Sequence, residues 1–308
     1  MLLSWALISC SSNPPLKDMF TLNQEEISQL QLEYYSDYFS FVGEDSNGKV
    51  MFAIDNNRGQ DGQTWQADHF LVLHDEQLGW QHIEGNGLYE NKDAELKEIP
   101  DSQFFQFSGS AATGITLSSE VNEIKLSVEP IQTHWKNKKG LSQMTLGSSS
   151  AVLNWKGRKI SGRVIHEFLY LPGFNRLSRK YFGVFKDFHG IYAMTENKGD
   201  FYFHSQKNKV LMPLIGEIVG FYFDGQLVTP IENPQLTIKG KEMTLGFYQW
   251  PNGWQGKTQS GLSFDIDLTE RNSLANWVIG GFAMGVLNGE VKQNGKVIKL
   301  VGIGELII

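Results

Sequence analysis

Four two-residue turn signals punctuate this chain: Asn47-Gly48, Lys156-Gly157, Asp224-Gly225 and Asn294-Gly295. Each stands between short apolar or alternating runs. Gly, Asn and Asp tolerate the backbone of a tight hairpin, so each dipeptide is a fold-back point between antiparallel strands. The runs between them predict strands over residues 50–54, 70–73, 79–83, 104–107, 124–128, 151–155 and 160–170 in the first half. The second half predicts strands over 181–185, 191–194, 201–204, 218–223, 226–228, 236–238, 243–247, 262–268 and 296–301, with a turn at 186–190 and a Trp/Gly-rich loop at 250–254. A meander of short strands with 32 glycines and no long helical run is an all-β signature. Helical spacing is limited to about two turns beginning at Asn23, where Glu26 completes a capping-box pattern.

A chain of 308 residues, 41% hydrophobic and 12% aromatic, buries a sizeable core and fits two β domains. Leu171-Pro172-Gly173-Phe174-Asn175 interrupts the strand pattern and places the boundary, giving domains over 23–173 and 174–308. A net charge of -7 and a pI near 5.5 oppose nucleic-acid binding, which needs a basic face. The sequence leaves the oligomeric state open.

Cys10 is the single cysteine, which excludes an internal disulfide. The apolar run of residues 1–9 ends in Leu7-Ile8-Ser9 before Cys10, and Ser11-Ser12-Asn13-Pro14-Pro15 follows. This resembles a bacterial lipoprotein signal, cut before a cysteine that is then acylated, with residues 10–22 as a tether. The expectation is a lipid-anchored envelope protein, at the outer membrane facing the periplasm. The alternative is an apolar strand containing an ordinary buried cysteine.

The most informative internal stretch is GRKISGRVIHEFLY, residues 157–170. On a strand, side chains alternate between faces. Val164, His166, Phe168 and Tyr170 therefore share one face, and Arg163, Ile165 and Glu167 share the other. The first face is the more apolar and is expected inside. His166 is either a core histidine satisfied by hydrogen bonds or a proton donor or acceptor in an apolar cavity. Alternation separates it from Glu167 unless a bulge re-aims one of them. Asp187 either lies near His166 or initiates a turn.

Other chemistry has little support in the pattern. The seven histidines show no zinc-type spacing, no Gly-x-Ser-x-Gly elbow occurs, and no Gly-x-Gly-x-x-Gly opens a helix. No metal and no cofactor is expected. Trp250, Trp254 and Trp277 sit near glycines and are either a stacking platform, for a sugar or an apolar ligand, or core plugs.

Several motifs, in order, resemble the carotenoid 1,2-hydratase/AttH-like family. Glu33-Tyr34-Tyr35 is similar to its Glu-Trp-Trp-Tyr opening. Ser161-Gly162-Arg163-Val164-Ile165-His166-Glu167-Phe168 resembles its Gly-x-x-Trp-x-Asp-His-Glu-Trp segment, with Arg163 in place of the Trp and Ile165 in place of the Asp. The hairpin around residues 185–194, Asn276-Trp277 and Gly302-x-Gly304-Glu305-Leu306 resemble later segments. The resemblance implies two lipocalin-like β-barrels side by side, the first ending just after the His-Glu strand. It also implies an apolar small-molecule ligand, such as an isoprenoid, polyene or lipid, in a barrel cavity. Some members hydrate a carotenoid alkene by protonating it, and related proteins cyclise polyenes. By that analogy His166, Glu167 and Asp187 are the candidate catalytic residues. Tyr35, Phe168, Tyr170, Trp250, Trp254 and Trp277 are the candidate ligand contacts.

Overall fold

A computed structural model of the chain describes residues 34–61, 64–85, 87–91, 104–131, 133–139, 142–170, 185–208, 218–244, 248–277 and 280–307. The expected signal, tether and short helix, the boundary segment 171–175 and Cys10 lie outside the described residues.

The described chain is all-β. Strands β1 (Tyr34–Asp45), β2 (Gly48–Asp61), β3 (Thr64–Asp75), β4 (Gly79–Gln81), β5 (Gly87–Asn91), β6 (Gln106–Ser110), β7 (Gly114–Ser119), β8 (Ile124–Val128), β9 (Thr133–Lys139), β10 (Ser142–Trp155) and β11 (Arg158–Tyr170) make one antiparallel sheet. Strands β12 (Phe185–Thr195), β13 (Asp200–Asn208), β14 (Ile218–Phe223), β15 (Val228–Glu232), β16 (Gln235–Thr244), β17 (Tyr248–Lys257), β18 (Ser263–Trp277), β19 (Gly280–Gln293) and β20 (Lys296–Ile307) make a second. The chain passes from one to the other between Tyr170 and Phe185.

Both sheets are wound alike. The order is β4-β3-β2-β1-β11-β10-β8-β7-β6 in the first and β15-β14-β13-β12-β20-β19-β18-β17-β16 in the second. In each, the first strand closes against the last at the centre, and the hairpins step outward on both sides. The hairpins preceding the two closing strands match as well. Lys156 and Gly157 (φ 47 and 77) and Asn294 and Gly295 (φ 51 and 79) both turn through successive left-handed residues, the geometry of a two-residue hairpin turn. The result is two curled half-barrels, side by side, with lipocalin-like winding.

Alternation along the central strands explains how these half-barrels fill and how they meet. On β1, Phe39 and Phe41 point into the first half-barrel with Phe52, Ile54, Leu126, Trp155 and Val164. Tyr38 points the other way, into a second apolar layer with Ala53, Leu146 and Ile165 from the first sheet and Tyr192, Tyr202, Phe221, Met284 and Ile303 from the second. Strand β1 meets β12 and β20 there, β2 meets β20, and β11 meets β13. The central strands are therefore buried on both faces. The second half-barrel is filled by Ile191, Phe201, Phe203, Trp250, Trp254, Phe264 and Leu287, among others. At Gly162 a Cβ would stand 2.1 Å from the Val42 carbonyl oxygen, so β1 and β11 approach closely only because a glycine is there.

Two expected elements are corrected. Residues 186–190 are not a turn. They belong to the continuous strand β12, which hairpins later, around Asn197-Lys198, into β13. Gly190 suggests a turn, but its missing side chain makes room for Tyr192 and Phe188, whose ring atoms would lie 3.0 and 3.1 Å from a Cβ. The Trp/Gly-rich segment 250–254 is not a loop. It lies in β17, paired with both β16 and β18, because both tryptophans are core side chains. Strands β5, β7 and β9 were not visible from the sequence. In β7 the inward Ile115 and Leu117 alternate with Thr and Ser, a short and weak signal.

Candidate functional site

Strand alternation decides where the His166-Glu167 pair goes. His166 is 2% exposed and enters the first half-barrel. Its ring stacks on Phe39, its directly paired neighbour on β1, with centroids 4.3 Å apart. Its Nε2 lies 2.6 Å from Oδ1 of Asp37, one diagonal step along β1 and fully buried. Asn56 on β2 donates to the Asp37 main-chain carbonyl at 3.2 Å. The bond ties the histidine to a carboxyl of the neighbouring strand inside the half-barrel. The sequence did not single out Asp37, although its place on the inward face of β1 was open to the same alternation argument.

Glu167 takes the opposite direction, into the seam between the sheets, and is 4% exposed. Tyr192 of β12 and Tyr202 of β13 both donate to its Oε2, at 2.8 and 2.7 Å. Tyr202 also lies 2.8 Å from Nδ1 of His204. When Glu167 is ionised the Tyr202 proton goes to the carboxylate, and His204 then donates through Nδ1–H to the Tyr202 oxygen. The chain His204–Tyr202–Glu167 thus joins the two domains by aligned hydrogen bonds. Burial, followed by the Glu167 charge, holds both tyrosine hydroxyls well above the ordinary tyrosine range, so they remain neutral donors. Tyr38 stacks on Tyr192 with centroids 4.3 Å apart and is shifted upward too, chiefly by burial.

Beside this chain, Arg163 of the first sheet clasps Asp200 of the second. Nε reaches Oδ1 at 2.8 Å and Nη2 reaches Oδ2 at 2.6 Å, while Nη2 also donates to Ser148 at 2.7 Å. Ser148 in turn donates to Asp200. Burial pushes the Asp200 carboxyl upward, and the Arg163 and Ser148 bonds act against it.

A cleft of about 730 Å³ opens between the two sheets, with Lys49, Ser150 and Arg163 on one side and Met194, Asn288 and Lys299 on the other. At Arg163 and Met194 it adjoins a narrow crevice, too tight to admit water, that is also lined by Ile165, Tyr192 and Asp200. Tyr192 is common to that crevice and to the Glu167 network. Among the described residues, buried side chains occupy the half-barrel interiors, and neither His166 nor Asp37 lines the cleft.

The remaining sequence candidates are scattered. Phe168 is buried on the His166 face. Tyr35 and Tyr170 face each other in the β1–β11 register, and Asp187 pairs with Lys207 beside a bulge in β12. Trp277 pairs with Gly280 at the β18–β19 end. The side chains of these last four lie outside the described residues. Trp250 and Trp254 are 1% and 0% exposed. Trp254 donates through Nε1 to Nδ1 of His189 at 3.3 Å, inside the second half-barrel.

No protein-family model matches the sequence, and no curated protein matches it. Solved structures share the fold. An AttH candidate from Nitrosomonas europaea superposes with a TM-score of 0.61 at 12% identity, covering 89% of this chain and 92% of its own. Kievitone hydratase from Nectria haematococca superposes with a TM-score of 0.56 at 8% identity, covering 90% and 89%. CghA with Sch210972 superposes with a TM-score of 0.51 at 8% identity, covering 90% and 88%. These likenesses show the two-domain lipocalin-like fold.

Proposed function

We propose that this chain is a proton-transfer enzyme of the hydratase, cyclase or isomerase class. Its substrate would be an unsaturated apolar molecule, an isoprenoid or polyene, admitted at the seam between the two domains. The observation that carries this reading is the buried Glu167 carboxylate, held by two tyrosine hydroxyls that reach across from the second domain. A carboxyl in a dry apolar layer can protonate carbon where water does not compete. In hydration, protonated Glu167 gives its proton by way of Tyr192, forming a C–H bond. Water then bonds to the adjacent carbon and returns a proton to Glu167. Tyr192 and Tyr202 stabilise the carboxylate in between. The fold shared with kievitone hydratase and CghA supports this class, as analogy only.

The reading moves the ligand from a barrel interior to the interdomain cleft, because buried side chains fill the interiors among the described residues, and the crevice at the end of the cleft, lined by Tyr192, would have to widen to admit substrate. The test is to incubate the purified protein with geraniol, farnesol, squalene and oleate and to follow each by mass spectrometry. Conversion of one of them, lost in Glu167→Gln, supports the proposal. A wild-type protein that neither converts nor retains any of them overturns it.

The address is part of the proposal: a lipid anchor on Cys10 at the bacterial envelope, suggested by the Leu7-Ile8-Ser9-Cys10 box. Mass spectrometry of the membrane fraction should find an acylated N-terminal Cys10. An unprocessed, unacylated chain contradicts it.

A further inference from the structure

The two half-barrels share a winding, and the shared winding pairs residues that the sequence does not align by eye. Glu167 follows the hairpin glycine Gly157 by ten positions, and Glu305 follows Gly295 by the same ten. The neighbouring strands agree. Glu167 is paired with Leu146 on β10, and Glu305 with Met284 on β19, at equivalent places in their ladders. Each glutamate therefore occupies the same position on the closing strand of its own sheet. Both closing strands lie at the seam, and Glu305 is 3% exposed.

The tyrosines between them are arranged in a crossed fashion. Tyr192 and Tyr202 of the second domain reach Glu167 of the first. Tyr38 of the first domain, paired with Glu167 in its own sheet, directs its hydroxyl to Sδ of Met284 at 3.7 Å, beside Glu305 of the second. Tyr38 and Tyr192 are stacked on one another where these reaches cross. Tyr192, which binds Glu167, pairs with Ile303 on β20, so it stands one diagonal step from Glu305 on the same face of the second sheet. Among the described residues, Asp55 of β2 and His204 of β13 also face this cluster, with the Arg163–Asp200 pair beside it.

The geometry points to Glu167 and Glu305 as a duplicated carboxylate pair, flanking Tyr192, that holds one proton between its members, with Glu305 the positioning residue that keeps Glu167 supplied as an acid. Two carboxylates in one desolvated layer do not both ionise easily, so the pair retains a proton that a single carboxylate would release. The inference rests on Glu167 as the proton-transfer group. It adds what that reading lacks, a reason for an acid form in the resting protein.

The test follows the Glu carboxyl resonances of ¹³C-labelled full-length protein across the pH range, assigned with Glu167→Gln and Glu305→Gln. The expected result is two interacting titrations, with the Glu167 midpoint lowered by about one pH unit or more in Glu305→Gln. Should Glu305→Gln not fold, Glu305→Asp, which withdraws the carboxyl without removing it, is expected to move Glu167 in the same direction by less. A Glu167 titration identical in wild type and either folded variant overturns the pair. With turnover in hand, Glu305→Gln should shift the basic limb of the pH–rate profile downward, which a purely structural role would not do. Coupled titration without turnover contradicts only the enzymatic reading, and turnover with independent titrations contradicts only the pair.

Discussion

Arg163 and Asp200 form a two-pronged ion pair between the domains, with Nε–Oδ1 and Nη2–Oδ2 at 2.8 and 2.6 Å and Asp200 almost fully enclosed. Arg163 lines both the cleft and the narrow crevice, and Asp200 lines the crevice together with Tyr192. Taking either partner away leaves the other's charge buried. Arg163→Met is therefore expected to cost about 3–5 kcal/mol in urea unfolding. The double change Arg163→Met with Asp200→Leu should recover much of that loss. Equal losses in the single and double variants would show that packing, not charge, dominates here.

His166 gives a sharper contrast with Glu167. It stacks on Phe39 and binds Asp37 inside the first half-barrel, away from the cleft. His166→Phe should therefore lower stability by about 1–3 kcal/mol, since it removes the buried His166–Asp37 hydrogen bond. Turnover per folded molecule should stay within a few-fold of wild type. Abolished turnover in a well-folded His166→Phe would return the catalytic role to the histidine.

Trp254 distinguishes a core plug from a binding platform. Its indole is 0% exposed and bonded to His189. Trp254→Ala should cost about 3–5 kcal/mol by leaving a cavity. A Trp254→Ala protein as stable as wild type, with lost sugar binding on a glycan array, would support the platform instead.

Acid should weaken the first domain at one identifiable place. Arg158 binds Asp45 through Nε and Nη2 at 2.9 and 2.8 Å and also reaches Asp75. The Arg158 hydrogen bonds hold Asp45 below the ordinary carboxylate range. Burial pushes Asp75 up, but bonds from Arg158 and from the Gln77 and Leu78 amides outweigh it and leave Asp75 lowered too. Carboxylates lowered by folding stabilise the protein above their unfolded pKa, near 4, and lose that contribution as pH falls through the lowered folded values. Thermal melts should show this loss below about pH 4. In Arg158→Ala the slope should flatten, and an unchanged slope would assign the acid sensitivity to other groups.

The hairpin dipeptides and strand periods made the β class and the His166/Glu167 division legible before any coordinates. Local rules suffice there, because a period of two fixes which face each side chain takes. They do not say what lies beyond that face. Glu167 looked outward from its own sheet, and only the partner sheet supplies Tyr192 and Tyr202. Asp200 carried no signal of its own, because its partner Arg163 comes from the other sheet, whereas Asp37 was open to the alternation argument and Glu305 stood inside a recognisable closing motif. Gly190 misled because it clears space for the Phe188 and Tyr192 rings, and Gly253 because it lets β17 approach the Ile266 carbonyl of β18, and both read in sequence like glycines that make turns.

The central claim is that Glu167 delivers a proton to carbon at the domain seam. Carrying out the substrate panel in D₂O measures this directly, since each turnover places one deuterium on carbon. The account predicts a single deuterium at a carbon position in product from wild type, and none above background with Glu167→Gln. Product formed without carbon-bound deuterium, or labelled equally by wild type and Glu167→Gln, would contradict it.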